Sequence, residues 1–189
     1  MKILATEYNE QGERVIIPIG DNALLRNNDD LYIPDFAGEL SAVPQLVIRI
    51  HKLGKCVEER FGERYFEEIG VGIRFYADDM ERSLRERSLP TGMASSFDGS
   101  VAIGELQAKG MCVDTRYVFL VNGKTVYEGG VEDLSCSLEN LIAEASNYYT
   151  LKIGDYLYCG NHFRYRGLKA GDRLQLLFQD KVWMDFKVK

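Results

Sequence analysis

The sequence predicts a β-rich α+β domain with about three helices, and three observations carry that reading. Short β-branched or aromatic runs recur between turn residues, as in Leu46–Ile50, Val71–Tyr76 and Tyr117–Val121. Apolar spacing of the helical kind is confined to a few stretches. A chain of 189 residues, 46% of them hydrophobic, suffices for one sizeable core but not for two, so residues 1–189 are expected to form a single domain.

Taken in order, Lys2–Ala5 and Arg14–Pro18 read as short strands, with a turn at NNDD (27–30) before Leu31, Tyr32 and Ile33. Leu46–Ile50 is a buried strand; Val43, Pro44 and Gln45 lead into it, and Pro44 suits a strand start or edge rather than a central position. Val57, Phe61, Tyr65 and Ile69 recur every fourth residue and predict an amphipathic helix over 55–69, weakened by Gly62. The strand Val71–Tyr76 follows. A second helix starts at Asp78, where Asp78 and Glu81 have capping-box spacing, and Pro90 stops it. Thr91–Gly104 is a loop leading into a short strand, and Val113–Tyr127 a hairpin turning at Asn122-Gly123. Ser137 caps a third helix that buries Leu138, Leu141, Ile142 and Ala145. LKIGDYL (151–157) and LKAGDRL (168–174) share one pattern and read as two similar corners of one sheet. The last hairpin turns at Gln179-Asp180-Lys181, and Val182, Met184, Phe186 and Val188 alternate inward after it.

Composition excludes some classes. A net charge of −6 argues against a general nucleic-acid or anionic-membrane binder. No apolar run approaches a membrane span, and MKILATEY lacks a signal-peptide core. Cys56, Cys112, Cys136 and Cys159 are scattered without a Cys-x-x-Cys pair, which suits reduced, buried thiols and a cytoplasmic protein.

LYIPDF (31–36), QLVIRI (45–50), Ile69–Asp79, SFDGS (96–100) and the LKIGD corner together resemble the fumarylacetoacetate hydrolase family, in the family's order, from about residue 20 onward. That family includes acylpyruvate hydrolases, oxaloacetate decarboxylases and isomerases of homoprotocatechuate breakdown. The resemblance implies a mixed β-roll of the family's C-terminal-domain type, a homodimer, and a divalent-metal site at the mouth of the roll. There Mg²⁺ or Mn²⁺ would chelate a 2-oxo acid or 1,3-diketone and stabilise an enolate.

The same resemblance places the family's chemical groups on unsuitable residues. The Glu-x-Glu that supplies two metal ligands falls on Val43 and Gln45, and the third ligand, an Asp, falls on Arg74. At an effective dielectric near 20, unit charges ~4 Å apart interact by about 4 kcal/mol, so Arg74 would repel a dication strongly. Valine and guanidinium also offer no oxygen to Mg²⁺. The family's lysine falls on Ser95, just before Ser96, Phe97 and Asp98, and its Ala-Arg-Asp arginine falls on Asp78. Its Thr-Gly-Thr-Pro reads Cys159-Gly160-Asn161-His162, and no histidine precedes His51 to form the hydrolases' His–acid pair. We therefore expect no catalytic residue and no metal at these positions, with Val43, Gln45 and Arg74 as vestigial ligand positions. Asp78, Ser95, Phe97, Asp98, Cys159, Gly160 and Asn161 are the corresponding vestigial pocket positions.

Each remaining candidate has two readings. Arg74 could bind a small carboxylate bidentately, or form an internal ion pair with Asp78, Asp79 or Asp98 in a collapsed pocket, which we prefer. Asp98 is a general base or, as we prefer, a turn former. Cys159 and His162 are a thiolate pair or half a zinc site against a buried thiol and a loop histidine, the second being preferred. Arg164-Tyr165-Arg166 grips phosphate or, as we prefer, lies in a solvated loop. Three functions follow, in order of preference. The first is a catalytically degenerate, metal-free homologue with a binding, regulatory or assembly role, as a homodimer or beside an active paralogue. The second is a small-carboxylate binding module anchored by Arg74. The third is an active hydrolase, decarboxylase or isomerase of acylpyruvate-type 2-oxo acids with a relocated site.

Overall fold

The chain opens with a hairpin of β1 (Ile3–Tyr8) and β2 (Arg14–Ile19), then passes through the short β3 (Leu24–Leu25) into two long strands, β4 (Leu40–Ile50) and β5 (Phe66–Ala77). Helix α1 (Asp78–Glu86) and β6 (Val101–Ala108) complete the first half. The second half holds the hairpin β7 (Tyr117–Val121) and β8 (Lys124–Gly129), then helix α2 (Leu138–Tyr148). Short strands β9 (Tyr156–Cys159) and β10 (Tyr165–Leu168) and the hairpin β11 (Arg173–Phe178) and β12 (Lys181–Lys187) close it. The computed structural model describes residues 1–9, 11–25, 28–112 and 114–189. Residues 27 and 113, which begin the expected NNDD turn and the expected Val113–Tyr127 hairpin, lie outside these.

An eight-stranded mixed sheet has the order β2-β1-β9-β4-β5-β6-β3, with β10 also on β4; a four-stranded antiparallel sheet has the order β12-β11-β7-β8. This is the expected α+β β-roll, and strands 46–50 and 71–76 do pair, Leu46 opposite Val71 and Ile48 opposite Ile69. In the antiparallel β4–β5 ribbon, directly opposed residues share a face. Ala42, Leu46 and Ile48 of β4 and Phe75, Ile73 and Val71 of β5 enter the main core with Phe119, Leu141, Ile142, Leu174, Leu176 and Phe186. Val47 joins a smaller cluster with Ile3, Ala5, Ile19, Val101 and Tyr158. Val43 and Gln45 have the parity of Val47, and Arg74 and Tyr76 lie opposite Val43 and Ser41. The polar residues of the ribbon therefore stand on the face turned away from the main core.

Several expectations are corrected. The stretch 55–69 is not an α-helix: Glu59–Tyr65 is a 3-10 helix and Phe66 to Ile69 already belong to β5. Cys56 has a left-handed backbone (φ 50), and a Cβ on Gly62 would lie 2.6 Å from the Glu139 Cα, so the segment is pressed backbone-to-backbone on α2. A spacing of four is also a multiple of two, so the Tyr65–Ile69 step suited a strand equally well. Pro44 lies inside β4, not at its edge. It is tolerated because β10 pairs with Leu40–Ala42 and β9 with Leu46–Arg49, leaving residues 43–45 without a strand neighbour on that side. The two LKxGDxL corners have one geometry, each aspartate accepting from the amide three residues earlier (2.8 Å at Lys152, 2.9 Å at Lys169). They enter different sheets, β9 in one and β11 in the other. Val182 is exposed because the β11–β12 register shifts between Leu176 and Leu177. All four cysteines are free, but only Cys159 is buried.

Other expectations stand. Asn122 and Gly123 (φ 52 and 74) make the hairpin turn, and Gln179 and Asp180 (φ 51 and 61) repeat it between β11 and β12. Ser137 Oγ accepts from the Asn140 amide at 3.1 Å and caps α2, whose buried face includes the four residues named above.

Candidate functional site

The gap in β4 places the site. Where residues 43–45 lack a strand neighbour, Asn161 from the β9–β10 loop fills in: its Nδ2 donates to the Pro44 carbonyl at 2.7 Å and to Tyr117 Oη at 2.8 Å. The loop's backbone is held by the Phe163 amide donating to Asn161 Oδ1 at 2.8 Å. Gly160 is obligatory there, since a Cβ would stand 2.4 Å from Thr6 Oγ1 and 2.8 Å from the Thr6 carbonyl. Above the gap opens a cavity of about 550 Å³ bounded by β1, β4, α1 and the β9–β10 loop. Val43 and Gln45 are on its floor, with Tyr76, Asp78, Glu81, Glu7, His162 and Arg164 around them.

Asp78 is the hub of one wall. It does not cap α1, whose N-cap position is Ala77 without a side-chain cap. Arg164 Nη2 and Arg166 Nη1 (2.9 Å) both donate to its Oδ1, as does Ser41 Oγ at 2.9 Å. Arg164 also donates from Nε to Ser41 Oγ at 2.7 Å and from Nη2 to Glu81 Oε2 at 2.8 Å. This corrects the solvated-loop reading of residues 164–166: Arg164 is drawn in because a buried carboxylate on the first turn of α1 needs charged donors. Burial raises the pKa of Glu81, but the charges and hydrogen bonds of Arg164 and Arg85 outweigh it, so the carboxyl sits below its ordinary value.

Arg74 lies behind this wall, fully buried. Its partner is none of Asp78, Asp79 or Asp98. Nη2 donates to Glu7 Oε1 at 2.9 Å and to the Ser95 carbonyl at 3.3 Å. Two guanidiniums stack on the Tyr76 ring, Arg164 4.1 Å and Arg74 4.8 Å from its centroid. Burial pushes its hydroxyl up to about 12, against the lowering effect of Arg74.

Of the residues singled out from sequence, Val43, Gln45, Asp78, Asn161, His162, Arg164 and Arg166 line the cavity. Arg74 stands opposite Val43 and Ser95 meets it through a carbonyl. Cys159 faces away: it opposes Leu46 and belongs to the main core, where burial pushes its thiol well up. It does not pair with His162, whose ring packs on Tyr8 at 4.2 Å. Phe97 packs edge-on against Phe36 (5.5 Å), and exposed Asp98 accepts from Asn22 Nδ2 at 2.6 Å beside the turn at Gly99. Sequence reasoning missed Glu7, Tyr76 and Glu81 as cavity residues. Nothing local marks Glu7; the parity of Tyr76 with Arg74 was the available signal for the second.

The three positions Val43, Gln45 and Arg74 do not fit a divalent metal, because an alkyl group and a buried guanidinium occupy two of them, only Gln45 supplies an oxygen, and the nearby Glu7 carboxylate is paired with Arg74. Among the described residues no three His, Cys, Asp or Glu side chains are grouped to hold a metal ion.

The curled mixed sheet with its cavity over β4 and β5 defines the class of the protein. The chain belongs to the fumarylacetoacetate (FAA) hydrolase C-terminal family, whose profile matches residues 8–188. It is 24% identical over 160 residues to the mitochondrial oxaloacetate tautomerase of Mus musculus, covering 83% of this chain and 72% of that protein. It is 27% identical over 132 residues to a fumarylpyruvate hydrolase of Ralstonia sp, covering 69% of each. Fumarylpyruvate hydrolase from Pseudomonas aeruginosa, crystallised with Mn²⁺ and pyruvate, superposes with a TM-score of 0.87 over 100% of this chain and 88% of that one. At 17% identity that likeness is one of fold.

Proposed function

We propose that this chain is a metal-free, catalytically degenerate member of its family that binds a small polar ligand in the cavity without turning it over. The observation that carries the proposal is the fully buried Arg74 directly opposite Val43, at the positions where the family resemblance puts carboxylate ligands. A cation and its own counter-ion, Glu7, stand where a metal and its carboxylates would. The enzyme names of the relatives favour the other reading, an active member with a rebuilt site, and Tyr76 and His162 are the cavity groups such a site would use. Four free thiols support a reducing compartment, in keeping with a cytoplasmic protein, and no helix among the described residues is long and apolar enough to cross a membrane. We take the working form to be a homodimer, as the family resemblance implies.

Calorimetric titration with Mg²⁺ and Mn²⁺, together with turnover assays on oxaloacetate and fumarylpyruvate, tests the proposal. The expected result is no metal binding tighter than millimolar and no turnover. Chelator-resistant turnover abolished by Arg74→Ala would establish the rebuilt site instead, and metal binding at micromolar concentration would overturn the metal-free reading.

A further inference from the structure

Three buried polar atoms on the cavity face of the sheet have no partner among the described residues: Gln45 Oε1, Arg74 Nε and Arg74 Nη1. Interior groups of this kind are ordinarily satisfied by water or by a ligand. Gln45 is 1% exposed and lines the cavity floor. Arg74 is a diagonal neighbour on the same face, since Gln45 opposes Gly72. Between Arg74 and the open cavity stands Glu7, which lines the cavity and has 26% of its side chain exposed.

Glu7 is lightly held. Among the described residues its carboxylate accepts one hydrogen bond, from Arg74. Its strand neighbour on one side is Val15 of β2, but the pairing of β1 with β9 stops at Ala5. The other arginines of the cavity wall are already matched: Arg82 with Glu39, Arg85 with Glu81, Arg164 with Asp78 and Glu81, and Arg166 with Asp78. Arg74 is thus the wall's guanidinium with nitrogens left unpartnered in the interior, and the group in front of it is a carboxylate on a strand end.

We infer that Glu7 is a tethered competitor for an anion site, and that the cavity takes a small free hydroxy-carboxylate by exchange: the ligand carboxylate replaces Glu7 on Arg74, and its hydroxyl donates to Gln45 Oε1. This rests on the binding reading above and adds to it the ligand class and the gate. The exchange keeps Arg74 neutralised throughout, which is why a carboxylate and not a cation or a neutral ligand fits. A tethered group competes at the high effective concentration of an intramolecular partner, so the wild-type affinity is weak and removal of the tether strengthens it.

The experiment uses the full chain in the presence of chelator, with glycolate and lactate as probes and glycolamide as the neutral control. Two readouts are followed: the side-chain Nε–H resonance of Arg74 and the calorimetric affinity. In wild type both carboxylates shift the Arg74 resonance at millimolar concentration and glycolamide does not. Glu7→Gln binds them at least tenfold tighter, and Glu7→Gln with Arg74→Met loses binding. Unchanged or weaker binding by Glu7→Gln, or equal binding by the double variant, overturns the inference. If Glu7→Gln does not fold, the wild-type resonance decides: no movement at tens of millimolar glycolate refutes the exchange. Metal binding in the separate Mg²⁺ titration would count against the metal-free reading alone, since the exchange is measured with chelator present.

Discussion

The two faces of the β4–β5 ribbon share one backbone and are held by different forces. On one face Ala42, Leu46 and Ile48 meet Phe75, Ile73 and Val71 in close apolar packing. On the other, Ser41, Val43 and Gln45 meet Tyr76, Arg74 and Gly72, and cohesion comes from paired charges and rings stacked on guanidiniums. Burial is nearly complete on both. The difference lies in how each tolerates change: an apolar face loses stability with volume, whereas a charged face loses it when one partner is left alone.

The largest test of this contrast is Phe75→Ala. Phe75 is fully buried with its ring against Phe186, and its truncation is expected to cost about 3–5 kcal/mol in denaturant unfolding. A loss below about 1 kcal/mol would mean that the two faces are not energetically distinct.

Next is reversal of the polar face. Val43→Glu, Gln45→Glu and Arg74→Asp made together recreate a carboxylate triad. Mg²⁺ at a hundred times its dissociation constant should then stabilise the triple variant by about 2.7 kcal/mol, read as a thermal shift. Arg74→Asp alone supplies one carboxylate, and the two glutamates alone would pair with Arg74, so neither should respond. Turnover of oxaloacetate should stay weak even in the triple variant, because Ser95 stands where the family resemblance places a lysine.

A smaller effect concerns the wall. The folded pKa of Glu81 is depressed below its ordinary value of 4.5, so its contribution is present above that pH and is lost as pH falls through the folded value. Glu81→Gln should therefore be less stable than wild type at neutral pH and lose less stability on acidification below about pH 5, by denaturant titration at each pH. Parallel acid limbs would remove Glu81 from the network.

The smallest expected change comes from replacing the Glu7–Arg74 pair as a unit. Glu7→Gln with Arg74→Met should stay within about 1 kcal/mol of wild type, because a buried pair exchanged for uncharged groups is often near neutral. Glu7→Ala alone should cost about 2 kcal/mol in the same assay, discounted from a fully buried pair because Glu7 is partly exposed. A double variant as unstable as the single one would mean that the pair itself, and not the orphaned charge, carries the stability.

Much of the fold was legible from short-range chemistry. The Asn122-Gly123 turn, the Ser137 cap and the alternation through Met184 and Phe186 each depend on residues close together in sequence. The helix expected over 55–69 failed because the closeness of Gly62 to Glu139 is a contact between distant segments. At the site, the residues at ligand positions could be read in order, but the partner of Arg74 could not, since Glu7 lies 67 residues away and carries no local mark. Asp78 read as a helix cap for the same reason: Arg164 lies 86 residues further on, and only folding brings it within reach.

By itself the sequence determined an α+β fold, through periodicity and turn chemistry, and a set of motifs in register that mark its family. It is that resemblance, and not periodicity, that sets a valine, a glutamine and an arginine against the expected ligand positions. Only the tertiary structure decided that β4 lacks a strand neighbour on one side at Pro44, that Asn161 fills the gap, that Cys159 faces the other way, and that Glu7 answers Arg74. The physical reason is that a buried charge must find its counter-charge wherever the chain crosses in space, and crossing points are set by sheet register and strand order.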